Sequence, residues 1–383
     1  MGCYLSGGLD SCAVVGLAAR HHPEPIRAFT LTFDLADYDK EKEAREMAAK
    51  VGAEFFPIPI RQDDLADHFA DAVLQSEAFC LNAHGVAKYL LSRAVRNAGY
   101  KVVITGEGSD EILGGYAHFR RDMLLYNRDG QDPDTIAELL ADLNERNPVS
   151  RGLLLPDGKV KSLQNVRRLL GFVPSWMETF SARALKMQDL LAGDFRARFG
   201  ASDAYHPLFS DLDVRSQLTG RDPVHQSLYL WSKTMLPAYI LTILGDRMEM
   251  AHSVEGRVPF LDHHLVEVVR SQPVTQKIRG MTEKYVLREA VRDIITDTVY
   301  RRQKHPFLSP PATLNPTAKL GTLVQDTLRG TVFATIPFFD QKKVVGRLDN
   351  VSAMDEGSRV AIDQILMILV SATVLQNGFR LAV

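Results

Sequence analysis

Apolar and polar residues alternate on two scales along the first hundred positions. Short apolar runs have the length of buried strands and occupy residues 4–5, 26–33, 54–60 and 101–104. The stretches between them space their apolar side chains as helices do, and the last, residues 70–98, is interrupted near Asn82 and Gly85. Strands that alternate with helices predict a parallel sheet. We therefore predict an α/β fold with a parallel-sheet core of about five strands.

From residue 117 onward the pattern becomes mainly helical. A Pro- and Gly-rich interval at residues 148–174 interrupts it and predicts an excursion or lid-like loop. The most apolar late stretch, residues 361–375, contains Asp363 and Gln364 and spaces its aliphatic side chains as a packed helix does. We expect this stretch to be a core helix and not a membrane span.

Residues 6–11 read SGGLDS and join the first apolar run to the first helical stretch. The glycines permit a tight turn close to an anion, while the serines and the following helix N-terminus offer hydroxyls, amides and a favourable dipole. This loop is therefore predicted to hold a pyrophosphate. No lysine follows the glycines, so it is not a Walker A loop. The Asp10 carboxylate would repel phosphates unless it faced a hard cation, so its presence predicts Mg²⁺. The alternative is that Asp10 or Ser11 is an ordinary helix N-cap.

A second glycine-rich motif follows the strand predicted at residues 101–104. Residues 105–111 read TGEGSDE, and its acids Glu107, Asp110 and Glu111 crowd the carboxyl end of a strand, where open α/β sheets bind ligands. It is not a dinucleotide fingerprint, because Glu111 stands where the third glycine would be needed. Crowded carboxylates predict a cation at this loop.

The two motifs resemble the SGGxDS loop of the N-type ATP pyrophosphatases and the synthetase domain of glutamine-dependent asparagine synthetase with its amidotransferase relatives. Later segments strengthen the resemblance, because they match the family's DRMSMA…S-x-E-x-RVPFLD pattern and two further family stretches in order and spacing. These segments are residues 245–248 (GDRM), 253–262 (SVEGRVPFLD), 283–289 (EKYVLRE) and 302–307 (RQKHPF). The resemblance spans nearly the whole chain.

The resemblance implies an adenine-nucleotide alpha hydrolase-like domain over residues 1–383. Residues 1–116 would form its nucleotide-binding core and residues 117–383 a mainly helical portion that completes the active site. The family's N-terminal glutaminase domain, with its nucleophilic cysteine, is expected to be absent, and a truncated, an excised and a naturally split protein remain open. Cys3 is interpreted as a small core residue.

The activity implied by the resemblance is ATP-dependent amide formation. A carboxylate, with aspartate the leading candidate, would attack the α-phosphate of ATP and release pyrophosphate, and ammonia would then displace AMP from the acyl-adenylate. Positioning and charge neutralisation are expected to dominate catalysis. The alternatives are a specialised amidotransferase, an acyl-adenylating cyclase of the β-lactam synthetase or lasso-peptide type, and an inactive fragment or partner subunit.

Residue roles follow from the same resemblance, with ATP and Mg²⁺ as the expected cofactors. Glu107 would orient or deprotonate ammonia, Lys284 would stabilise charge at the α-phosphate, and Glu111 would face the substrate's cationic group or organise its loop. Asp10 and Asp110 would carry the metal. The nucleotide-binding set comprises Leu5, Ser6, Gly7, Gly8, Asp10, Ser11, Leu31, Thr105, Gly106, Arg302 and Lys304.

Within that set, Arg302 and Lys304 are the candidates for the β- and γ-phosphates. The adenine and ribose pocket would be lined by Leu5, Leu31, Thr105 and Gly106. For Lys284 the alternative is a surface ion pair on a helix. For Asp246, Arg247, Glu255 and Arg257, contact with substrate and a purely structural network both remain open.

Composition narrows the cellular setting. A formal charge of −2 gives no broad basic field, so no nucleic-acid surface is predicted. Three cysteines without a C-x-x-C pair favour reduced thiols, and no signal peptide or membrane span is visible, so a cytoplasmic enzyme is expected. The expected partners are a small carboxylate, ammonia, a possible glutaminase domain or subunit, and a possible second copy in a homodimer.

Overall fold

The alternating pattern of the first 116 residues folds as predicted. In the computed structural model, which describes residues 1–127, 132–150 and 152–381, the chain begins with β1 (Gly2–Tyr4), α1 (Leu9–His21), β2 (Arg27–Phe33), α2 (Glu41–Val51), β3 (Glu54–Ile60), α3 (Gln62–Asp67), α4 (Phe69–Ser76), α5 (His84–Asn97), β4 (Val102–Ile104) and α6 (Ser109–Leu113). The predicted interruption is confirmed at Asn82, which lies in the break between α4 and α5, whereas Gly85 lies inside α5.

The next segment is helical. It contains α7 (Ala117–Tyr126), α8 (Pro133–Glu145), a 3₁₀ turn (Pro148–Ser150), α9 (Gln164–Leu170), α10 (Ser175–Gln188), α11 (Gly193–Phe199), α12 (Tyr205–Asp211), α13 (Val214–Gln217) and α14 (Pro223–Lys233). The interval predicted as a loop at residues 148–174 is therefore partly helical, and its residue 151 lies outside the described residues. Val166 of α9 is buried, so this short helix is held by packing that a count of Pro and Gly overlooks.

The following segment returns to the sheet. After two π-helical turns (Leu236–Ile240 and Thr242–Asp246) come α15 (Arg247–Met250), β5 (Glu255–Arg257), a 3₁₀ turn (Pro259–Leu261), α16 (His263–Ser271), α17 (Val274–Lys277), β6 (Ile278–Arg279), β7 (Thr282–Glu283), α18 (Tyr285–Ala290) and α19 (Asp297–Arg301). Strands β6 and β7 pair as a short antiparallel hairpin. Strand β5 was not predicted, because its sequence EGR has no apolar run.

Helices complete the chain. They are a 3₁₀ turn (Ala312–Leu314), α20 (Lys319–Arg329), α21 (Thr331–Ala334), α22 (Gln341–Asp349), a 3₁₀ turn (Val351–Ala353) and α23 (Glu356–Phe379). By length and composition α23 is able to cross a membrane, but 72% of its most apolar window is buried inside the protein. Asp363 in its middle accepts hydrogen bonds from the Thr313 amide and hydroxyl. These contacts favour the predicted core helix.

The five strands form one parallel sheet in the order β3-β2-β1-β4-β5. The chain moves from β1 outward to β2 and β3, and then resumes on the other side of β1 with β4. The strand order therefore reverses between β1 and β4, and ligands of open α/β sheets bind at the carboxyl ends beside such a reversal. The two glycine-rich motifs directly follow these two strands.

The chain forms two compact units. The first comprises residues 1–116, 230–311 and 318–320, and the second comprises residues 117–229, 312–317 and 321–383. An apolar core that includes Leu5, Val14 and Met47 lies within the first unit. Every residue predicted for the site belongs to that unit. The expectation that the whole chain works as one synthetase domain stays a prediction.

Candidate active site

The turn after β1 needs glycine and leaves the start of α1 open. Gly7 has a φ of +69°, and a Cβ there would lie 2.9 Å from the Lys40 carbonyl oxygen. The Ser11 hydroxyl accepts from the Ser6 amide at 3.0 Å and donates to the Gly8 carbonyl at 3.2 Å. Gly8 is the N-cap of α1 and supplies no side-chain cap, so the alternative of an Asp10 or Ser11 cap is wrong. An uncapped N-terminus suits an anion.

The turn after β4 approaches the first turn closely. A Cβ on Gly106 would lie 2.9 Å from the Ser11 amide nitrogen, so only glycine lets the two loops meet without displacement. Gly108 has a φ of +89° and caps α6, and a Cβ there would lie 2.4 Å from Leu261 Cδ2. The glycines of the second motif therefore bring its acids beside Asp10.

Four side chains from distant segments meet at these loops. Lys284 Nζ lies 2.5 Å from Oδ1 of both Asp10 and Asp110, and this lysine is 1% exposed. Lys304 Nζ lies 2.6 Å from Asp110 Oδ2 and 3.6 Å from Asp10 Oδ2. We call Asp10, Asp110, Lys284 and Lys304 the charge centre. The Ser109 hydroxyl adds a hydrogen bond of 2.8 Å to Asp10 Oδ1.

The lysines decide how the buried carboxylate titrates. Burial by itself would raise the pKa of Asp10, but the charges of Lys284 and Lys304 outweigh burial and lower it to about 2. Burial opposes the charge of Lys304 as well, yet Asp110 and Asp10 raise the pKa of that lysine well above its usual value. Asp10 is therefore an anion and Lys304 a cation at neutral pH.

Backbone geometry places Lys284 in the charge centre. Lys284 has a φ of +52° and precedes α18 as its N-cap, a strained conformation for a residue with a side chain. Because the side chain is buried, the alternative of a surface ion pair is wrong. A Cβ on Gly115 would lie 1.9 Å from Asp110 Oδ1 and 2.1 Å from Lys284 Cε. Gly115 therefore leaves the space that this ion pair fills.

The donor set fits a Mg²⁺ ion that shares its ligands with phosphates. Oδ1 of Asp10 and Oδ1 of Asp110 both lie 2.5 Å from Lys284 Nζ, and Asp110 Oδ1 is buried without a well-formed hydrogen bond. No group of three or more His, Cys, Asp or Glu suited to a metal occurs among the described residues. Mg²⁺ usually takes only one or two carboxylates and completes its shell with waters and phosphate oxygens. These two aspartates match that requirement.

Glu111 is buried and directly follows Asp110 of the charge centre. Its carboxylate accepts a hydrogen bond of 2.7 Å from the Tyr116 hydroxyl. Burial first, and then the charge of Asp110, raise the pKa of Glu111 to about 7. The hydrogen bond joins the Glu111 carboxyl to Tyr116, and both roles predicted for Glu111 stay predictions.

Glu107 belongs to a different set of charges. Lys88 Nζ donates to Glu107 Oε1 at 3.3 Å and lies 3.8 Å from Glu249 Oε1. Sequence reasoning missed Lys88 and Glu249, because a charged residue on a helix is usually solvated. A signal was present for Glu249, which replaces the serine of the family's DRMSMA segment.

The segment that carries Lys304 is fixed by ion pairs. Glu283 Oε1 accepts from the Lys304 amide at 2.8 Å and from Arg288 Nη2 at 2.9 Å. Arg302 Nη1 lies 2.7 Å from Glu43 Oε1, so the guanidinium predicted for phosphate is partnered by α2 in this structure. Lys40, which the sequence did not suggest, donates to the carbonyl oxygens of residues 305 and 306. Burial first, and then Lys304 and Arg302, lower the pKa of Lys40 to about 7.

The remaining predicted residues lie in various settings. Leu5 is buried in the apolar core and its backbone is bonded to β2, Thr105 is buried, and Leu31 is half-buried on β2. Arg257 pairs with Glu255 at 2.9 Å and Arg247 with Glu77 at 3.5 Å; all four side chains are exposed. Asp246 is exposed. Their predicted roles stay predictions.

Comparison with known proteins gives a family and several relatives. A family model described as asparagine synthase matches residues 1–371. The amidase chyE of Penicillium rubens is 31% identical over 347 residues, which cover 80% of this chain and 49% of that protein. The amidase chry2 of Gibberella zeae is 29% identical over 345 residues, with coverage of 80% and 49%. A putative glutamine-hydrolyzing asparagine synthetase of Mycobacterium tuberculosis is 29% identical over 310 residues, with coverage of 81% and 45%. The chain spans about half the length of these relatives.

Proposed function

Because this chain belongs to the asparagine synthase family, we propose that it forms an amide from a carboxylic acid at the expense of ATP, with AMP and pyrophosphate as products. The observation that carries the proposal is the charge centre, where Lys284 lies 2.5 Å from both Asp10 and Asp110 beside the uncapped start of α1. A buried lysine beside a turn that suits phosphate favours a reaction in which phosphate charge grows.

In the first step the acid's carboxylate oxygen attacks the α-phosphorus, and the bond to the bridging oxygen of pyrophosphate breaks. The turn at residues 6–8 and the α1 amides hold the phosphates, and the lysine ammonium groups neutralise the charge that develops on them. Asp10 and Asp110 would hold Mg²⁺, which would supply further neutralisation of the phosphates. The lysines exchange carboxylate contacts for phosphate contacts as nucleotide enters.

In the second step the nitrogen of ammonia attacks the carbonyl carbon of the acyl-adenylate, and the bond between that carbon and the AMP oxygen breaks. One proton must leave the nitrogen so that a neutral amide remains. Glu107 receives it, because its side chain is 31% exposed, open to a small molecule, and held by hydrogen bonding from Lys88. The proton then passes to solvent.

Two substrate classes are candidates. Aspartate, giving asparagine, is the leading acid, and similarity to a putative asparagine synthetase supports it. A different carboxylic acid is the second candidate, and it is favoured by the similarity to two proteins named amidases. Ammonia would come from solution or from a glutaminase domain or subunit. A cytoplasmic location and a homodimer complete the proposal.

The test is product analysis on the purified 383-residue chain with Mg²⁺, ATP, ammonium and a panel of carboxylic acids led by aspartate. Pyrophosphate, AMP and amide released in equal amounts support the proposal, and the acid that gives them identifies the substrate class. If an acid is turned over without added ammonium, and one of its own amines becomes part of the new amide, the reaction is cyclisation and not amidation. ATP that stays intact with every acid, in the presence of ammonium and glutamine, would overturn the proposed activity.

A further inference from the structure

A buried group of charges lies on the Glu107 side of the sheet and is distinct from the charge centre. It consists of Tyr4 on β1, Lys88 on α5, Glu107 after β4 and Glu249 on α15, and we call it the Lys88 cluster. The Lys88 and Glu249 side chains are 5% and 3% exposed, whereas that of Glu107 is 31% exposed. Lys88 therefore stands between an interior carboxylate and one that faces the site.

The packing around Lys88 is specific. Its ammonium lies 4.4 Å from the centroid of the Tyr4 ring, a cation–π contact that holds it away from water. A Cβ on Gly256 of β5 would lie 2.0 Å from Glu249 Oε2, so this glycine makes room for the carboxylate. One turn beyond Lys88, the Ser92 hydroxyl donates to the Met248 carbonyl at 2.6 Å and joins α5 to α15.

We propose that Lys88 and Glu249 are positioning residues for Glu107 in the amide-forming step. Lys88 fixes the carboxylate that receives the proton from the attacking nitrogen, and Glu249 compensates the lysine's charge. The inference rests on the proposed function and deepens it at the ammonia site.

The charges explain why both residues are needed. A lone lysine at 3.3 Å would hold Glu107 in place but would also stabilise its anion and make it a poor proton acceptor. Glu249 lies 3.8 Å from the same ammonium and shares its charge, so Glu107 does not receive the whole of that stabilisation. The other groups that face Glu107 are Tyr4, whose pKa is raised by burial and by both carboxylates, and Glu111 with Tyr116.

The first test needs no substrate. Carbodiimide and an amine label accessible carboxyl groups, and mass spectrometry gives the labelling rate of Glu107 in the folded protein. In K88M the rate should rise about threefold or more, because the carboxylate loses its partner and faces Glu249; in E249Q it should fall about twofold. K277M removes another buried lysine, one that donates to the carbonyl oxygens of Ile112 and Val269, and should leave the rate unchanged.

K88M leaves a buried, unpaired Glu249 and risks misfolding. The double variant K88M/E249Q removes that charge, and its Glu107 rate should still exceed that of the parent. Equal Glu107 rates in the parent, K88M and the double variant would overturn the proposal. So would a rise in K277M that matches the rise in K88M.

The second test separates the two half-reactions with the acid that the product assay identifies. Acid-dependent exchange of pyrophosphate into ATP should stay within about twofold of the parent in K88M/E249Q, whereas amide formation should fall about a hundredfold. Equal loss of both half-reactions would mean a structural role and would overturn the inference. If no acid supports exchange in the parent, the proposed function fails, and the labelling rates still decide whether Lys88 positions Glu107.

Discussion

Two buried carboxylates, one in each unit, titrate in opposite directions. Asp10 in the first unit meets Lys284 and Lys304, which overcome burial and lower its pKa to about 2. Asp122 in the second unit is fully buried and accepts from the Ser175 amide at 2.8 Å and the Ser227 hydroxyl at 2.6 Å. Burial outweighs these neutral donors and raises its pKa to about 7.

The difference shows what burial of an acid indicates and what it does not. Hydroxyl and amide donors satisfy a carboxyl that joins helices, and they leave it ready to lose its charge. Two ammonium groups keep an acid ionised in the interior, which costs desolvation that a purely structural site avoids. A buried acid that contacts lysines at the carboxyl edge of a sheet therefore indicates a catalytic or binding role. A buried acid that contacts only neutral donors indicates a structural role.

The largest effect should come from Lys284→Ala. The lysine's contribution grows as phosphate charge grows, so ATP binding should survive while acid-dependent pyrophosphate exchange falls about 10³-fold, or about 4 kcal/mol. Exchange kinetics and equilibrium dialysis with ATP measure the two quantities. Lys277→Ala is the matched control, because it removes another buried lysine. It should lower the melting temperature and leave the exchange rate nearly unchanged. Unchanged turnover in the Lys284 variant would remove this residue from the mechanism.

Gly115→Ala tests whether the charge centre needs its spacing. The new methyl group would overlap Asp110 Oδ1 and Lys284 Cε, so the ion pair must open. We expect exchange to fall about 10²-fold, or about 2.7 kcal/mol. Gly346→Ala in α22, where a Cβ meets nothing within 4 Å, is the control and should be active and slightly more stable. Equal activity of the two variants would contradict the spacing argument.

Asp122→Asn tests the other side of the comparison. Since burial raises the folded-state pKa of Asp122 above its unfolded value, its contribution to stability is present below about pH 4 and is lost as pH rises through about 7. The asparagine side chain of the variant does not titrate, so the variant does not lose this stability as pH rises. Relative to the parent, the variant should gain about 4 kcal/mol of unfolding free energy between pH 4 and pH 8, measured by urea denaturation. A parallel pH dependence in both proteins, or a loss of exchange activity, would contradict an architectural role.

Arg257→Ala should have the smallest effect. Its pair with Glu255 is exposed, and exposed ion pairs contribute about 0.5 kcal/mol or less. Urea denaturation and exchange kinetics should both match the parent. A large rise in the KM for the acid, with stability unchanged, would instead assign this arginine to substrate, the other role that the sequence left open.

Four of the five strands of the sheet were predictable, because each contains a local apolar run. The bounds predicted for the third strand, residues 54–60, agree with the structure. Strand β5 was not predictable, because hydrogen bonds to β4 hold a three-residue segment that has no apolar pattern. Residues 164–170 likewise became helical through packing.

The motifs identified the acids and lysines of the charge centre. They did not identify the buried charged residues around it. A motif gives residue types at a loop, and the reversal of strand order between β1 and β4 explains why residues 6–11 and 105–111 meet. Lys88, Glu249 and Lys40 lie on helical stretches or between elements, where charge usually indicates solvent. Burial of those charges depends on long-range contacts that no local pattern encodes.

The charge centre also has a consequence for biosynthesis. Its carboxylates emerge from the ribosome early, whereas Lys284 follows Asp110 by about 170 residues, a delay of roughly 10 to 35 s at 5–20 residues per second. During that interval β1 and β4 can pair, but Asp10 and Asp110 face each other without their cations, and mutual repulsion works against closing the two loops. Repulsion between the two carboxylates would therefore delay closure of the loops until the segment that carries Lys284 and Lys304 has been synthesised.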